Sequence, residues 1–260
     1  MAIEPISDHD VQRFLDTGAI TVDTPLPAEV IETAASIIDN RLPFVPAADR
    51  GAANYRYGET CSFFDPGLIA VIEHPFFEAV AQRILDAHAV RIFQTAITIV
   101  YPQPDAPWGF EQHVDVHYRE HDWRAQPRRV ICSFFLWLSD VNDQRAPMVC
   151  RPGSHRLLAR EGRRGHPHVA GVGLDDLPPR DYGQPTPILA RAGQLSIVTT
   201  AMVHGSSVNV DDQPRRALIM TYTARGVRID LPADQEVERR RYLRTLAEHL
   251  SPARRHLASH

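Results

Sequence analysis

The chain has 260 residues and a formal net charge of −4, with 43% hydrophobic and 23% charged residues. This composition is that of an ordinary globular protein, and the lack of a strong basic block gives no indication of a nucleic-acid partner. No apolar run approaches the roughly 18 residues that span a membrane, and the first residues have neither the basic nor the apolar part of a secretory signal. We therefore expect one cytoplasmic domain over residues 1–260, with no membrane partner and an undetermined oligomeric state.

The cysteines and the basic residues exclude several kinds of site. Cys61, Cys132 and Cys150 are odd in number and widely spaced, so a disulfide framework or a cysteine-zinc site is not expected. Cys132 lies in an apolar run and is predicted to be buried. All 28 basic residues are arginine, which removes a P-loop lysine, a Schiff-base lysine and a Ser–Lys dyad.

The first third of the chain has the apolar spacing of helices. Capping residues and prolines mark where these helices begin. In chain order we predict a helix from Ser7 to Gly18, a strand over 19–22, a helix from Pro27, an irregular stretch over 40–65, and a helix from Asp65 to about Asp86 that bends near Pro75.

After residue 88 the chain changes to short runs rich in β-branched and aromatic residues, separated by Pro, Gly and Asp. Many short strands of this kind favour a sandwich or jelly roll. We expect a mainly β core over about 88–225, a helical part over about 7–86 before it, and a final helix over about 234–249 with Val237 and Leu243 on its apolar side. The predicted strands are 89–101, 111–117, 128–138, 147–151, 187–190, 194–199, 206–210 and 215–224, with a long loop over 156–186.

His113 and Asp115 are the first candidates for a metal site. On a strand, residues two apart point to the same face, so both side chains can reach one ion while Val114 and Val116 face the core. The pair alone is weak evidence, because a surface histidine beside a loop carboxylate gives the same pattern.

His204 and Arg215 form the second half of the candidate site. His204 lies on a short loop between two apolar strands, and Arg215 opens the second strand. Two histidines and one carboxylate suit a non-haem Fe(II) centre with open positions for O2 and a co-substrate. A guanidinium can bind a carboxylate through two parallel hydrogen bonds. A histidine before glycine is also common in plain turns. Each half of the candidate site is therefore evidence for a metal centre only in combination with the other half.

The order of these segments resembles the phytanoyl-CoA dioxygenase family over about residues 8–225. Besides the segments above, it includes the turn Arg151-Pro152-Gly153-Ser154-His155, in which we do not expect His155 to be a ligand. The resemblance implies a double-stranded β-helix (jelly roll, cupin-like) core that uses Fe(II), 2-oxoglutarate and O2. Carried over by position, the catalytic iron ligands are His113, Asp115 and His204; Arg215 and Ser206 bind the distal carboxylate of 2-oxoglutarate; and Arg216 points to the opposite face of its strand.

The resemblance also implies the reaction. We expect an oxidoreductase of secondary metabolism, a hydroxylase that acts on a small metabolite or natural-product intermediate and releases succinate and CO2. The same iron chemistry also serves desaturation, cyclisation, epimerisation or endoperoxide formation. Asp115 makes halogenation unexpected, since halogenating relatives replace this carboxylate with a small residue. Nothing resembles a CoA-binding patch.

Two more distant alternatives stay open at this point. One is a zinc hydrolase or isomerase built on His113 and His117, whose spacing is that of a helical zinc site. The other is a jelly-roll binding module without catalytic activity.

Substrate contacts are predicted only from closeness to the metal segments. The candidates are Tyr118, His117, Trp108 and Trp137, with Arg151 and Arg225 as possible anion-binding residues. The loops over 40–65 and 156–186 are predicted to cover the site and exclude water.

Overall fold

The computed structural model describes residues 5–45, 55–161, 172–229 and 233–259. Within these ranges no helix is both long and apolar enough to cross a membrane. The helices are α1 Asp8–Thr17, α2 Ala28–Arg41, α3 Pro66–Ile72, α4 Pro75–Leu85, α5 Glu120–Arg124, α6 Ser154–Glu161 and α7 Ala233–His249, with short 3₁₀ helices at Leu174–Asp176 and Arg255–Ala258. The strands are β1 Ala19–Val22, β2 Arg56–Thr60, β3 Val90–Val100, β4 His113–Val114, β5 Ile131–Trp137, β6 Met148–Cys150, β7 Val172–Gly173, β8 Thr186–Ile188, β9 Leu195–Val198, β10 His204–Ser206 and β11 Arg215–Ala224.

The strands form two antiparallel sheets that pack face to face. The major sheet has the order β1-β9-β5-β11-β3-β2, and the minor sheet has the order β7-β4-β10-β6-β8. Neighbours in both orders are far apart in the chain, as in a jelly roll, and this confirms the predicted architecture. The connections bring β4 and β10, which lie about ninety residues apart in sequence, side by side.

The two faces of the major sheet have different partners, and this difference positions the site. On β11, Leu218 and Met220 belong to the core that the sheet forms with the N-terminal helices. Ala217 and Ile219 belong to a smaller core with Trp137 and with Met148 of the minor sheet. Since side chains on a strand alternate between faces, the odd-numbered positions of β11, including Arg215, face the space between the sheets.

The predicted first helix is confirmed, and local interactions explain its ends. The Ser7 hydroxyl accepts a hydrogen bond from the Asp10 amide while the Asp10 carboxylate accepts from Ser7, which is a capping box. Gly18 ends α1 at φ +87, where a side chain is strained. A Cβ there would also lie 2.8 Å from Nδ1 of His155, so glycine is required for two reasons.

Two predictions for the N-terminal part need correction. The single helix predicted over 65–86 is two helices, because Pro75 does not continue α3 but begins α4 as its first residue. The stretch over 40–65 is not wholly irregular, since α2 continues to Arg41 and Arg56–Thr60 forms the edge strand β2. Residues 46–54 of this predicted loop lie outside the described residues.

The β half also differs from prediction in its details. The predicted loop over 156–186 contains most of α6, the strand β7 and the start of β8, while residues 162–171 lie outside the described residues. The strand predicted at 111–117 is only His113–Val114, and the one predicted at 206–210 is His204–Ser206. Val237 of α7 is 66% exposed, because the buried side of that helix follows Arg239, Tyr242, Leu243 and Leu246.

Candidate active site

His113, Asp115 and His204 come together in the minor sheet. His113 lies directly opposite His204 across the β4–β10 pair, and their ring centroids are 4.6 Å apart. Asp115 follows β4, where its backbone N–H donates to the Thr200 carbonyl at 3.0 Å. Its Oδ1 is 3.1 Å from Nε2 of His113, and its Oδ2 is 3.6 Å from Nε2 of His204. All three ligand atoms lie within 4.8 Å of one another.

The hydrogen bond of His204 decides which ring nitrogen faces the other two residues. Nδ1 lies 2.8 Å from the Met202 carbonyl, which can only accept, so Nδ1 carries the proton. The Nε2 lone pair is then directed at Asp115, as in histidines that bind metals. Donors placed at right angles about 2.1 Å from one ion are about 3 Å apart. The triad therefore fits a single divalent cation.

At His204 and Asp115 the electrostatics favour the charge states that a metal requires, a neutral imidazole and a carboxylate. Burial is the main cause that lowers the pKa of His204, which keeps its ring neutral. The hydrogen bond to Asp115 raises the pKa of His113. Burial favours the neutral acid at Asp115, but the hydrogen bond from His113 and the charges of His204, His113 and Arg56 outweigh it and hold the pKa of that carboxyl below its usual value. Asp115 is therefore a carboxylate at neutral pH.

Gly205 allows the two ligand strands to approach. A Cβ at Gly205 would lie 1.5 Å from the backbone oxygen of Glu111 and 2.7 Å from its carbonyl carbon. Any side chain at this position collides with the segment that leads into His113. The glycine after His204 is therefore part of the construction of the site.

Arg215 lies on the inner face of the major sheet and is almost fully buried, with 3% exposed. Its guanidinium lies 5.5 Å from the centroid of the Trp137 ring, and Nη1 donates to the Ala146 carbonyl at 2.8 Å. Burial, and then the charge of Arg56, lower the pKa of Arg215 to about 9. Among the described residues no carboxylate accepts from Arg215, and its Nε has no partner. The buried hydroxyl of Ser206 also has none within those ranges. Such donors are suited to binding an anion.

Arg216 faces the other way. Its Nε donates to Oδ1 of Asp39 at 2.6 Å and its Nη2 donates to Oδ2 at 3.0 Å, which ties β11 to α2. Of the two adjacent arginines, Arg215 therefore faces the space between the sheets, in agreement with the predicted alternation.

Arg56 is a residue of the site region that the sequence analysis missed. It is exposed on the edge strand β2, opposite Val100, which in turn lies opposite Arg215. Residues directly opposite on antiparallel strands share a face, so both arginines point to the inner side. An apolar alternation over Arg56–Thr60 would have predicted the strand that carries Arg56. Only Tyr57 of β2 is buried, however, and the strand shows no such alternation.

A cavity of about 310 Å³ opens beside Asp115. Gln94, Thr221 and Ser133 form a polar row on its wall, directly opposite one another across β3, β11 and β5. The hydroxyls of Ser133 and Thr221 are 3.2 Å apart. Phe93 and Ile131 supply apolar surface. This size suits a small molecule, and the row suits one with hydrogen-bonding groups.

None of the four predicted substrate contacts lines this cavity. Tyr118 is buried, and its hydroxyl accepts from the Ile131 amide at 3.0 Å. Trp137 is fully buried, and its indole N–H donates to the Ser196 hydroxyl at 2.8 Å. Trp108 is 47% exposed and packs against Phe110, and His117 is half-buried. β4 ends at Val114, so His117 and Tyr118 do not continue the strand that carries His113.

Arg151 and Arg225 bind the protein itself. Arg151 donates to the Gln112 side chain at 2.7 Å and to the Gly183 carbonyl, and Arg225 donates to the His256 carbonyl at 3.0 Å. The predicted turn at Pro152-Gly153 is present, and His155 lies away from the triad with Nε2 3.1 Å from the Leu15 carbonyl.

The zinc alternative loses its geometric basis. It required His113 and His117 on one helix, but His113 lies on β4 and His117 follows in irregular chain. The described residues offer one group that can hold a metal, formed by His113, Asp115 and His204.

Known structures share this fold. The epimerase SnoN in complex with Fe3+, alpha ketoglutarate and nogalamycin RO is 18% identical, with 82% of each chain covered and a TM-score of 0.64. EctD from S. alaskensis in its apoform is also 18% identical, with 88% of this chain and 81% of that chain covered and a TM-score of 0.62. The carbocyclase SnoK from nogalamycin biosynthesis is 19% identical, with 84% of each chain covered and a TM-score of 0.58. No curated protein matches the chain.

A family model gives the assignment that these distant structures do not. The model for phytanoyl-CoA dioxygenase (PhyH) matches residues 14–217, which is most of the chain and includes the triad and Arg215. The chain therefore belongs to the phytanoyl-CoA dioxygenase family of Fe(II)- and 2-oxoglutarate-dependent oxygenases.

Proposed function

We propose that the protein hydroxylates a small metabolite or natural-product intermediate, with His113, Asp115 and His204 as the ligands of Fe(II). The observation that carries this proposal is the convergence of the three ligand atoms within 4.8 Å. Arg215 binds the distal carboxylate of 2-oxoglutarate, and Ser206 donates to the same group. The role of Arg215 is supported by its buried, inward-facing guanidinium, which no carboxylate of the described chain neutralises.

The side chains have separate tasks in this reaction. When bound, Fe(II) and 2-oxoglutarate activate O2 and oxidise a C–H bond of the substrate, releasing succinate and CO2. Met202 holds His204 in the tautomer that binds metal, and Thr200 holds the backbone of Asp115. Trp137 and Ala146 fix the Arg215 guanidinium before the co-substrate arrives, which reduces the entropy lost on binding.

The cavity beside Asp115 is the substrate site in this proposal. Its polar row of Gln94, Thr221 and Ser133 orients hydrogen-bonding groups of the substrate, while Phe93 and Ile131 contact apolar parts. The position of the substrate in this cavity decides the outcome. Epimerisation or ring formation is the second candidate, favoured by the similarity to the epimerase SnoN and the carbocyclase SnoK. Desaturation and endoperoxide formation use the same site.

We also propose that the protein is cytoplasmic. All three cysteines are free. Cys132 and Cys150 are buried in the core. Unpaired cysteines are consistent with a reducing, cytoplasmic setting.

The first experiment is O2-dependent formation of succinate from 2-oxoglutarate with added Fe(II). Wild type is expected to show slow turnover without substrate, and a candidate metabolite that fits the cavity is expected to increase it. Product analysis by mass spectrometry then separates a gain of one oxygen atom from loss of two hydrogens or an unchanged mass. Absence of both metal binding and succinate formation would contradict the proposed function.

Two variants test the assignment of roles. His204→Ala is expected to abolish metal binding. Arg215→Ala is expected to leave the metal affinity within about threefold of wild type. It is expected to raise the Kd of 2-oxoglutarate about tenfold or more, since hydrogen bonds to charged groups contribute about 1.5–3 kcal/mol. Equal loss of metal in both variants would show that Arg215 supports the triad instead of binding the co-substrate.

A further inference from the structure

The C-terminal helix α7 forms one wall of the cavity beside Asp115. Gln235, Glu238 and Arg239 line the cavity from this helix. Their spacing of three and four residues places them on one helix face. Arg239 is 6% exposed, whereas the other two are exposed at the surface. Among the described residues that line this cavity, Arg239 is the one cation.

The contacts of Arg239 hold its guanidinium in place. The guanidinium lies 4.8 Å from the centroid of the Phe93 ring, and Nη1 donates to the Phe93 carbonyl at 3.5 Å. Nε and Nη2 both donate to Oε2 of Glu236, at 3.2 Å and 2.6 Å. An arginine has five N–H donors, and these hydrogen bonds use three of them. The group is therefore oriented in advance, with two N–H donors that no described residue accepts.

Arg91 places a second buried cation near Arg239. It lies opposite Thr223 on β11, two residues along from Thr221 of the cavity wall and on the same face of the sheet. Arg91 is 6% exposed, and among the described residues its Nη1 is buried without a hydrogen-bond partner. Its pKa is lowered first by burial and then by the charge of Arg239, which is the effect of a nearby like charge.

The positive charge of these two arginines exceeds the negative charge buried with them. Glu236 accepts from Arg239 through Oε2, and its Oε1 accepts from Nε of the exposed Arg240 at 2.7 Å. Glu238 is exposed, so water and salt screen its charge much more than that of a buried arginine. Asp115 is a metal ligand in the proposed function. Because a buried charge without a counter-ion is costly, one further anion in the cavity would stabilise this arrangement.

We propose that the substrate carries an anionic group, a carboxylate or a phosphate, which Arg239 binds at the α7 wall of the cavity. Arg91 adds a second positive charge to this site. The inference rests on the proposed function, because it assumes that this cavity holds the substrate. A substrate bound through its charged end is oriented by that contact, which decides the part that it presents to the triad.

The pair of Arg239 and Glu236 also has a purely structural explanation. Through Arg239 the helix α7 is tied to the Phe93 carbonyl of β3. If this is its only role, removal of Arg239 lowers the free energy of unfolding but leaves the affinity for anions unchanged. The two explanations therefore differ in a binding constant that can be measured.

The experiment is ligand-observed NMR titration of four matched probes into the full chain loaded with Zn(II) and excess 2-oxoglutarate. The probes are phenylacetate, benzyl phosphate, phenylacetamide and benzylamine, which share an aromatic ring and differ in the charge of the polar end. Excess 2-oxoglutarate prevents the anionic probes from occupying the co-substrate site. Wild type is expected to bind one of the two anions about tenfold more tightly than phenylacetamide, and benzylamine least. The preferred anion identifies the group as carboxylate or phosphate.

Three variants test the role of Arg239. Arg239→Gln is expected to raise the Kd of the preferred anion about tenfold and to leave that of phenylacetamide unchanged. Arg239→Lys is expected to recover part of the affinity, because it keeps the charge but not the planar fork. Arg240→Gln is the matched control, since the Arg240 side chain is 61% exposed and pairs with the same Glu236 without lining the cavity. It is expected to match wild type.

Further readouts separate anion binding from folding and place the probe. The affinities for Zn(II) and 2-oxoglutarate are expected to be the same in all three variants and wild type, and urea unfolding measures any loss of stability separately. Replacement of Zn(II) by Mn(II) is expected to broaden the NMR signals of the bound anion, because paramagnetic relaxation acts only on protons near the metal.

A wild type that prefers neither anion over phenylacetamide, or that binds no probe, overturns the inference. The same conclusion follows if the Kd of the preferred anion is unchanged in Arg239→Gln, if Arg240→Gln weakens it equally, or if Mn(II) leaves its signals sharp. Each of these results leaves the proposed function intact. Failure of wild type to bind metal and 2-oxoglutarate refutes the proposed function instead.

Discussion

Gly205→Ala is the substitution for which the structure allows the most direct reasoning. The alanine Cβ would lie 1.5 Å from the Glu111 carbonyl oxygen, whereas real Cβ contacts essentially never fall under 3.0 Å. The strand β10 and the segment before β4 must therefore separate by at least about 1.5 Å. His204 and His113 lie on these two segments directly opposite each other, so the separation acts on two ligands at once.

The expected loss follows from the precision that a metal site requires. Side chains of such a site are held to within about 0.5 Å, and a misplacement of about 1 Å can reduce activity about 100-fold. We expect Gly205→Ala to lower the affinity for Mn(II) at least 100-fold. We also expect it to lower the free energy of unfolding by about 1–3 kcal/mol, the usual result of overpacking. Calorimetry measures the first quantity and urea unfolding measures the second.

Gly109→Ala is the matched control. It lies in the same region of the chain, yet a Cβ at Gly109 has no atom within 4 Å. It is expected to keep both the metal affinity and the stability of wild type. The reasoning is refuted if Gly205→Ala folds and binds Mn(II) as tightly as Gly109→Ala does.

Three further predictions concern other parts of the molecule. Burial lowers the pKa of His155 from 6.5 to about 4, so the unfolded chain binds a proton that the folded chain does not. The free energy of unfolding should then fall by up to about 3 kcal/mol as the pH is lowered from 6.5 to 4. In urea unfolding, His155→Gln should lose this part of the pH dependence, and an unchanged pH dependence in the variant would contradict the reasoning. Arg216→Gln, which removes the partly exposed ion pair with Asp39, is expected to cost about 1 kcal/mol or less in urea unfolding without any change in 2-oxoglutarate affinity; a change in that affinity would argue against the outward orientation. Thr221→Val keeps the shape of the cavity but removes a hydroxyl, so KM for the substrate found by screening is expected to rise about tenfold at unchanged metal affinity, and an unchanged KM would remove Thr221 from the substrate site.

Local sequence patterns predicted the elements whose causes are local. Ser7 and Gly18 fix the ends of α1, and the run of apolar and β-branched residues predicted β11 with its observed bounds, Arg215–Ala224. The strand assignment also separated Arg215 from Arg216, because neighbouring residues on a strand must point to opposite faces. The short strand β2 was missed because its stability comes from pairing with β3 and not from its own composition.

The sequence by itself determined the set of ligand types and the family they resemble, since residue identity and order are local properties. Only the tertiary structure decided that His113 and His204 meet, because their pairing depends on the strand order of the minor sheet. It also decided that Gly205 must be glycine and that Arg56 shares a row with Arg215. It also buried Trp137 and Tyr118 outside the wall of the cavity beside Asp115, because packing between distant segments, and not closeness along the chain, determines which side chains surround a cavity.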